Sequence, residues 1–267
     1  MAARTGRHPV RPVMLRGVPV GGGPAKVAAS LTSAAIAELV AEAGRLVAAP
    51  VDVAEWRVDH FAQVADRAAV LEALAAVREA LGDVPLVATV RGAAEGGNVE
   101  LGDDAWASLA ADLVTSGHVD ALDVEVARPS AVVAATVASA RAAGVAVLAS
   151  SHDLTGTPPA EEILARLERM VALGADLAKV AVTAHRPADV LALLAATAGA
   201  AERLDRPVIT MAMGPLGVVT RIGGEAFGSS LTFGALDRAS APGQVPVAEL
   251  RAAVDLIHRQ LTEEGPR

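Results

Sequence analysis

The run Leu177-Ala-Lys-Val-Ala-Val182 holds a lysine, Lys179, inside a short apolar stretch. The chain has only two lysines, Lys26 and Lys179, and writes its other strong cations as arginine. Arginine stays protonated and cannot form an imine, whereas a desolvated lysine can lose its proton and attack a carbonyl. The structural alternative is a lysine at a strand end that lays its stem on apolar surface and keeps its head in water. His152, in Ser151-His152-Asp153, closes the apolar run one β–α repeat earlier, which sets it on a neighbouring strand about 5 Å away. Arg57, Arg91 and Arg221 end or follow other apolar runs. Positive charge from these arginines, together with desolvation, would favour the free amine. The set suits imine chemistry: Lys179 attacks a ketone, the iminium acidifies the adjacent C–H, and His152 removes that proton and later donates one.

Further residues flank this set. In Glu55-Trp-Arg-Val-Asp59, a period of two puts Glu55, Arg57 and Asp59 on one face of a strand near 52–59. Turning three charges inward is costly unless they are paired or used. Arg91 is followed by Gly92-Ala-Ala-Glu95-Gly-Gly97, and Met211 and Met213 read as gap-filling core residues. Other chemistries lack their frames. Gly21–Gly23 does not complete GxxxxGK[ST], and neither Glu95-Gly-Gly nor Gly223-Gly224 completes a GxGxxG after a strand. Asp59-His60 and His152-Asp153 offer metal donors, but without HExxH or a second convergent histidine no metal site is expected. His8, His118, His185 and His258 fall in the tail or on surface segments and receive no role, and Asp103-Asp104 reads as a helix N-terminus.

The elements that position these residues alternate regularly. Strands are expected near 25–29, 52–59, 85–91, 121–126, 145–151, 177–182, 207–213 and 230–234. Helices are expected near 33–47, 66–81, 104–115, 130–143, 159–173, 187–202, 216–222 and 247–263. Thr32 or Ser33, Ser130 after Pro129, and Pro158-Pro159 supply helix starts. Gly82, Gly117, Gly144 and Gly174 stand where helices stop. Eight strands alternating with eight helices is the count of a parallel (β/α)₈ barrel, with a doubly wound open sheet as the alternative. Strand runs with little polar alternation fit strands covered on both faces. No linker divides residues 1–267, so a single barrel is expected, preceded by an extension over 1–23. Its extended pieces, Val10–Leu15 and Val18–Val20, could form a hairpin that caps the barrel floor.

Composition narrows the function. The 267 residues are 52% hydrophobic, enough for a large core. With two Trp, three Phe and no Tyr, that core must come from Ala, Val and Leu. The absence of Cys removes disulfides, thiolate metal sites and thiol nucleophiles. A net charge of −8 argues against nucleic acid as a partner while leaving a small anionic substrate open through local arginines. No secretory signal and no membrane span is visible, so a cytoplasmic protein is the default.

Taken in order, these blocks resemble type I 3-dehydroquinate dehydratase, from about residue 25 to the C-terminus. The likeness rests on Glu55-Trp-Arg-Val-Asp59, Arg91 with Glu95-Gly-Gly97, Ser151-His152-Asp153 and Ala178-Lys179-Val180. It continues through Ile209-Thr-Met-Ala-Met-Gly214, Arg221 with Gly224-Glu-Ala-Phe-Gly-Ser229, Leu231-Thr-Phe-Gly-Ala235 and Ala239-Ser-Ala-Pro-Gly-Gln244. The resemblance implies a (β/α)₈ barrel that dehydrates 3-dehydroquinate to 3-dehydroshikimate in the shikimate pathway, with no cofactor, as a homodimer. It implies Lys179 as the imine-forming lysine, His152 as general acid and base, and Glu95 as the carboxylate that orients it. Arg221, Ser240 and Gln244 would hold the substrate carboxylate, the last two from a closing loop. Glu55, Arg57 and Arg91 would surround the ring hydroxyls and the reacting centre. Ser240 and Gln244 rest on the likeness alone. Leu154 stands where an aromatic residue is usual, Thr220 where serine often precedes the arginine, and Gly214-Pro-Leu-Gly217 looks stiffer than typical. Two rivals share the fold: a class I aldolase, which would bind phosphate near the last strands, and a non-catalytic metabolite sensor.

Overall fold

The computed structural model describes residues 9–262. The eight apolar runs form one sheet of parallel strands: β3 (Lys26–Leu31), β4 (Val53–Arg57), β5 (Leu86–Thr89), β6 (Ala121–Glu125), β7 (Ala146–His152), β8 (Leu177–Thr183), β9 (Val208–Met213) and β10 (Leu231–Gly234). Their order is β10-β3-β4-β5-β6-β7-β8-β9. The ring closes between β9 and β10, where Val208 bridges Ser229 and the Ser230 N–H donates to the Val208 carbonyl at 2.8 Å. This is the (β/α)₈ barrel, and the open-sheet alternative is set aside. Side chains alternate between a lumen and an outer face, and both are covered, so the strands lack the polar alternation of a half-exposed sheet.

The helices α1 (Ile36–Val47), α2 (Arg67–Leu81), α3 (Asp103–Thr115), α4 (Ser130–Ala142), α5 (Ala160–Ala172), α6 (Pro187–Arg203), α7 (Val218–Phe227) and α8 (Val247–Thr262) follow the strands in turn. They pack on the outward side chains, among them Trp56, Val58, Ala88, Leu122, Val147, Val180 and Ala212, in one continuous core. Among the described residues no helix is long and apolar enough to cross a membrane.

The floor of the barrel is built from sequence features that recur. Asp52, Asp120 and Asp176 each stand just before a strand, β4, β6 and β8. Each donates its N–H to the carbonyl of Val27, Leu86 or Val147. Each also accepts that same residue's N–H on its carboxylate, at 2.8, 2.8 and 3.0 Å respectively. The carboxylate replaces an acceptor that the sheet no longer supplies at its lower rim. Below lies the hairpin of β1 (Val13–Leu15) and β2 (Val18–Val20), turned by Arg16 and Gly17, both at positive φ (42 and 88°). Two successive positive φ values match the twist of a two-residue hairpin. Leu15 and Val20 pack upward on Ala28, Val53, Val87, Ala121, Leu148, Leu177 and Leu231, closing the floor.

Several boundaries differ from the expected ones. The strand expected over 52–59 ends at Arg57 and gives way to a 3₁₀ turn, Val58–His60. Asp59 therefore does not share the lumen face of Glu55 and Arg57. The strand over 85–91 ends at Thr89, and Arg91 enters from the following loop. The first helix starts at Ile36 rather than 33, because the N–H groups of Thr32 and Ser33 both donate to the Glu42 carboxylate (2.9 and 3.0 Å) instead of opening the helix. The helix expected at 216–222 is a 3₁₀ turn, Pro215–Gly217, followed by α7. His8 with the rest of residues 1–8 of the N-terminal extension, and residue 263 of the expected final helix, lie outside the described residues.

Candidate active site

At the C-terminal ends of the strands the lumen opens into a cavity of about 310 Å³. Its lining brings together the nine residues assigned to the site from sequence: Glu55, Arg57, Arg91, Glu95, His152, Lys179, Arg221, Ser240 and Gln244. Met211, Met213 and Phe233 supply an apolar wall. The two methionines are thus part of the cavity surface as well as core. A volume of this size suits a small, compact ligand.

Lys179 sits midway along β8, level with Ser150 of β7, while His152 is level with Ala181, one step closer to the mouth. The Lys179 side chain is buried, and its Nζ lies 3.6 Å from both Glu55 Oε1 and Asp123 Oδ2. It also stands 4.6 Å above the Phe233 ring, a cation–π distance. The charges in closest contact with the amine are therefore carboxylates, while the arginines expected from sequence line the same cavity. Glu55 is fixed by Ser30 Oγ (2.6 Å) and Thr89 Oγ1 (3.0 Å). Burial works to raise its carboxyl, but Lys179, Arg57, the Ser30 hydrogen bond and Arg91 together hold it down at about 2. It is a permanent negative charge.

His152 Nδ1 lies 2.7 Å from Glu95 Oε2. Burial, and then the charges of Arg91, Lys179 and Arg57, push the imidazole well below its ordinary value. Burial is also the main influence on Glu95. Arg91 opposes it, Glu125 and Asp123 reinforce it, and the carboxyl rises to about 8. Below that pH the pair shares one extra proton along the Nδ1···Oε2 bond, and Nε2 carries hydrogen. Above it Glu95 is ionised, accepts from Nδ1–H, and leaves Nε2 as a base.

The loop that presents Glu95 is tightly held. Glu95 ends a 3₁₀ turn, Ala93–Glu95, and the Gly97 N–H returns to the Gly92 carbonyl at 2.9 Å. A Cβ on Gly97 would stand 1.9 Å from the Arg91 carbonyl oxygen, so only glycine fits. Asp59, out of the lumen, takes a bidentate bond from Arg57 (2.8 and 2.7 Å) and the backbone N–H groups of Arg91 and Asn98 (3.4 and 3.1 Å). Glu125 accepts the Gly92 N–H at 2.8 Å. Arg91 links the two halves: Nη1 donates to Glu95, Glu125 and Ser150, and Nη2 to Asp123 at 2.7 Å.

Across the cavity, Arg221 of α7 is 2% exposed. Its guanidinium donates to the carbonyls of Phe233 (3.4 Å) and Pro242 (3.3 Å) and touches Met211 Sδ. Its Nε has no partner among the described residues. Burial alone lowers it to about 10. A buried cation that faces a cavity, with no carboxylate beside it among the described residues, can pair with an anion there. The segment that covers it is ordered by two bonds within it, Ser240 N–H to Gln244 Oε1 (2.8 Å) and Gln244 Nε2 to Ser240 Oγ (3.0 Å), and is tied to β3 by Ser240 Oγ against Ser30 Oγ (3.0 Å).

Asp123, Glu125, Ser30, Thr89 and Ser150 complete the site beyond the residues singled out from sequence, and Asp59, expected on the lumen face, supports it from outside. Asp123 and Glu125 carried a legible signal, since Ala121-Leu-Asp-Val-Glu125 places acids two apart in an apolar strand, the pattern that marked Glu55 and Arg57.

Residues 27–261 match the family model of type I 3-dehydroquinase. The chain belongs to the type I 3-dehydroquinase family. As a member of this family it is a hydro-lyase. It is 45% identical over 251 residues to a 3-dehydroquinate dehydratase of Salmonella agona, covering 94% of this chain and all of that one. A type I 3-dehydroquinate dehydratase from Clostridium difficile, solved with covalent modified comenic acid, superposes with a TM-score of 0.91 at 39% identity. That match covers 94% of this chain and 99% of the other. A 3-dehydroquinate dehydratase from Geobacillus kaustophilus superposes with the same TM-score at 33% identity, covering 95% and 98%. The match to this dehydroquinase family spans every residue of the cavity wall.

Proposed function

We propose that the chain removes water from 3-dehydroquinate to give 3-dehydroshikimate through an imine on Lys179. The observation that carries this reading is the buried Lys179 amine on the strand beside His152, facing a cavity whose far wall holds the unpaired guanidinium of Arg221. The substrate carboxylate pairs with Arg221, aided by Ser240 and Gln244, and its ketone carbon turns toward Lys179. Nζ adds to the carbonyl and water departs, leaving a protonated imine. With Nε2 free, His152 takes the proton from the carbon next to the iminium, and the electron pair moves into an enamine. The enamine expels the β-hydroxyl, which leaves as water with the proton from Nε2–H. Hydrolysis of the product imine restores the amine. Glu95 holds the ring of His152 and shares its proton, while Glu55, Arg57 and Arg91 surround the ring hydroxyls and keep the reacting region charged and fixed.

The covalent modified comenic acid in the Clostridium difficile relative is in keeping with a site that forms adducts. Turnover of 3-dehydroquinate but not of phosphorylated sugars separates this reading from a class I aldolase, which would bind phosphate near the last strands. The family likeness supports a homodimer working in the cytoplasm, and light scattering of the purified protein tests the stoichiometry. The mechanism is tested with two variants. Lys179→Ala abolishes turnover, while His152→Ala still forms an imine with 3-dehydroquinate but yields no product. Substantial turnover by Lys179→Ala would remove the covalent route.

A further inference from the structure

Lys179 has two carboxylate neighbours, and they are not equivalent. Glu55 lines the cavity, whereas Asp123 does not and is 2% exposed. Asp123 therefore cannot reach a substrate. Its Oδ1 accepts Ser150 Oγ at 2.6 Å and its Oδ2 accepts Arg91 Nη2 at 2.7 Å, so both oxygens are already bonded and the charge cannot swing away. What remains open to it is Lys179 Nζ at 3.6 Å.

That distance is itself informative. Both carboxylates lie 3.6 Å from Nζ, longer than an N–H···O hydrogen bond but close enough for strong charge interaction. The amine is held by field rather than by bonds. It can lose a proton, turn its lone pair to a carbonyl and become planar without breaking a hydrogen bond to either acid. The ammonium and the protonated imine both carry one positive charge on this nitrogen, so a fixed negative charge here serves both.

We propose that Asp123 is the buried counter-charge of the Lys179 iminium, a positioning residue that keeps the imine nitrogen protonated while the adjacent C–H is removed. This rests on the imine reading above. A neutral imine is a poor electron sink, so losing the charge slows proton abstraction without weakening substrate binding. The other charged groups facing Lys179 are Glu55 and Arg57 of β4, Arg91 and Glu95 of the loop after β5, and His152 of β7. Among the described residues Asp123 is the β6 carboxylate within ion-pair distance of Nζ, since Glu125 of the same strand is bonded to Arg91, Arg128 and the Gly92 N–H instead.

The test compares wild type with Asp123→Asn, with Asp123→Ser as a second neutral variant and Asp123→Glu as the charge-retaining one. Circular dichroism and thermal melting establish folding. Acylation of Lys179 by acetic anhydride across pH, read by mass spectrometry, reports its free-amine fraction. Steady-state kinetics with 3-dehydroquinate and borohydride trapping complete the set. In the neutral variants the midpoint of Lys179 acylation falls by at least about one pH unit. Their kcat drops about 10²-fold with little change in KM, and trapping of the imine persists. Asp123→Glu restores the midpoint toward wild type. A role confined to packing would leave the acylation midpoint in place, and folded neutral variants with an unmoved midpoint and near-normal kcat overturn the inference. Failure of wild type itself to trap substrate would instead overturn the imine reading.

Discussion

Replacing Glu95 with glutamine separates the two members of the proton-transfer pair. In the intact site the base form of His152 appears as the shared proton leaves, near the value of about 8 to which Glu95 is raised. The sign follows: below that pH Nε2 is protonated and proton abstraction stalls, and above it the rate levels off. In Glu95→Gln the only titrating member is His152, which burial and the charges of Arg91, Lys179 and Arg57 hold well below 6.5. The acid limb of kcat/KM should therefore move down by more than about 1.5 pH units, and the variant should be working at pH values where wild type has lost its base. Its plateau should fall by about 10²-fold, since a weaker base, no longer oriented by an anion, takes the proton less well. The assay is initial rate against pH from 5 to 10, following ultraviolet absorbance of the conjugated enone product. Arg91 keeps Asp123 and Glu125 as partners in the variant, so the site stays assembled. An acid limb that stays near pH 8 in Glu95→Gln would refute the shared-proton account and move the ionisation to another group.

Two further outcomes follow from particular contacts. Gly97→Ala cannot be accommodated without displacing the loop, because its Cβ would meet the Arg91 carbonyl at 1.9 Å; kcat should fall by at least about 10-fold while KM changes little, as expected for a misplaced catalytic pair. Arg221→Ala removes the unpaired buried cation and should raise KM for 3-dehydroquinate by about 30-fold or more, the effect of truncating one partner of a buried charge pair, with imine trapping at saturating substrate retained.

The barrel was legible because eight apolar runs recur with helices between them, and because glycines at 82, 117, 144 and 174 adopt positive φ at helix ends. The reactive core was legible for a different reason: a lysine or histidine inside an apolar run is conspicuous. What sequence hid was set by contacts between distant segments. Nothing near Thr32 shows that Glu42 captures its N–H and delays the first helix. Nothing near Asp59 shows that it turns out of the lumen to fasten Arg57 and the 91–98 loop. Asp123 was written, with Glu125, in the same two-residue alternation as Glu55 and Arg57, but that pattern does not tell which charge it meets. Its position beneath Lys179 depends on the register of β6 on β7 and of β7 on β8. Ser240 and Gln244 carry no periodic signal at all, since they sit in a loop whose shape is fixed by their own mutual bonds.

The most direct test of the central claim is borohydride trapping with 3-dehydroquinate, followed by mass spectrometry of the digest. The account predicts one reduced adduct of substrate or product mass, on the peptide containing Lys179, appearing as activity is lost and absent from Lys179→Ala. A protein that turns over 3-dehydroquinate with no adduct, or with the adduct on Lys26, would contradict it.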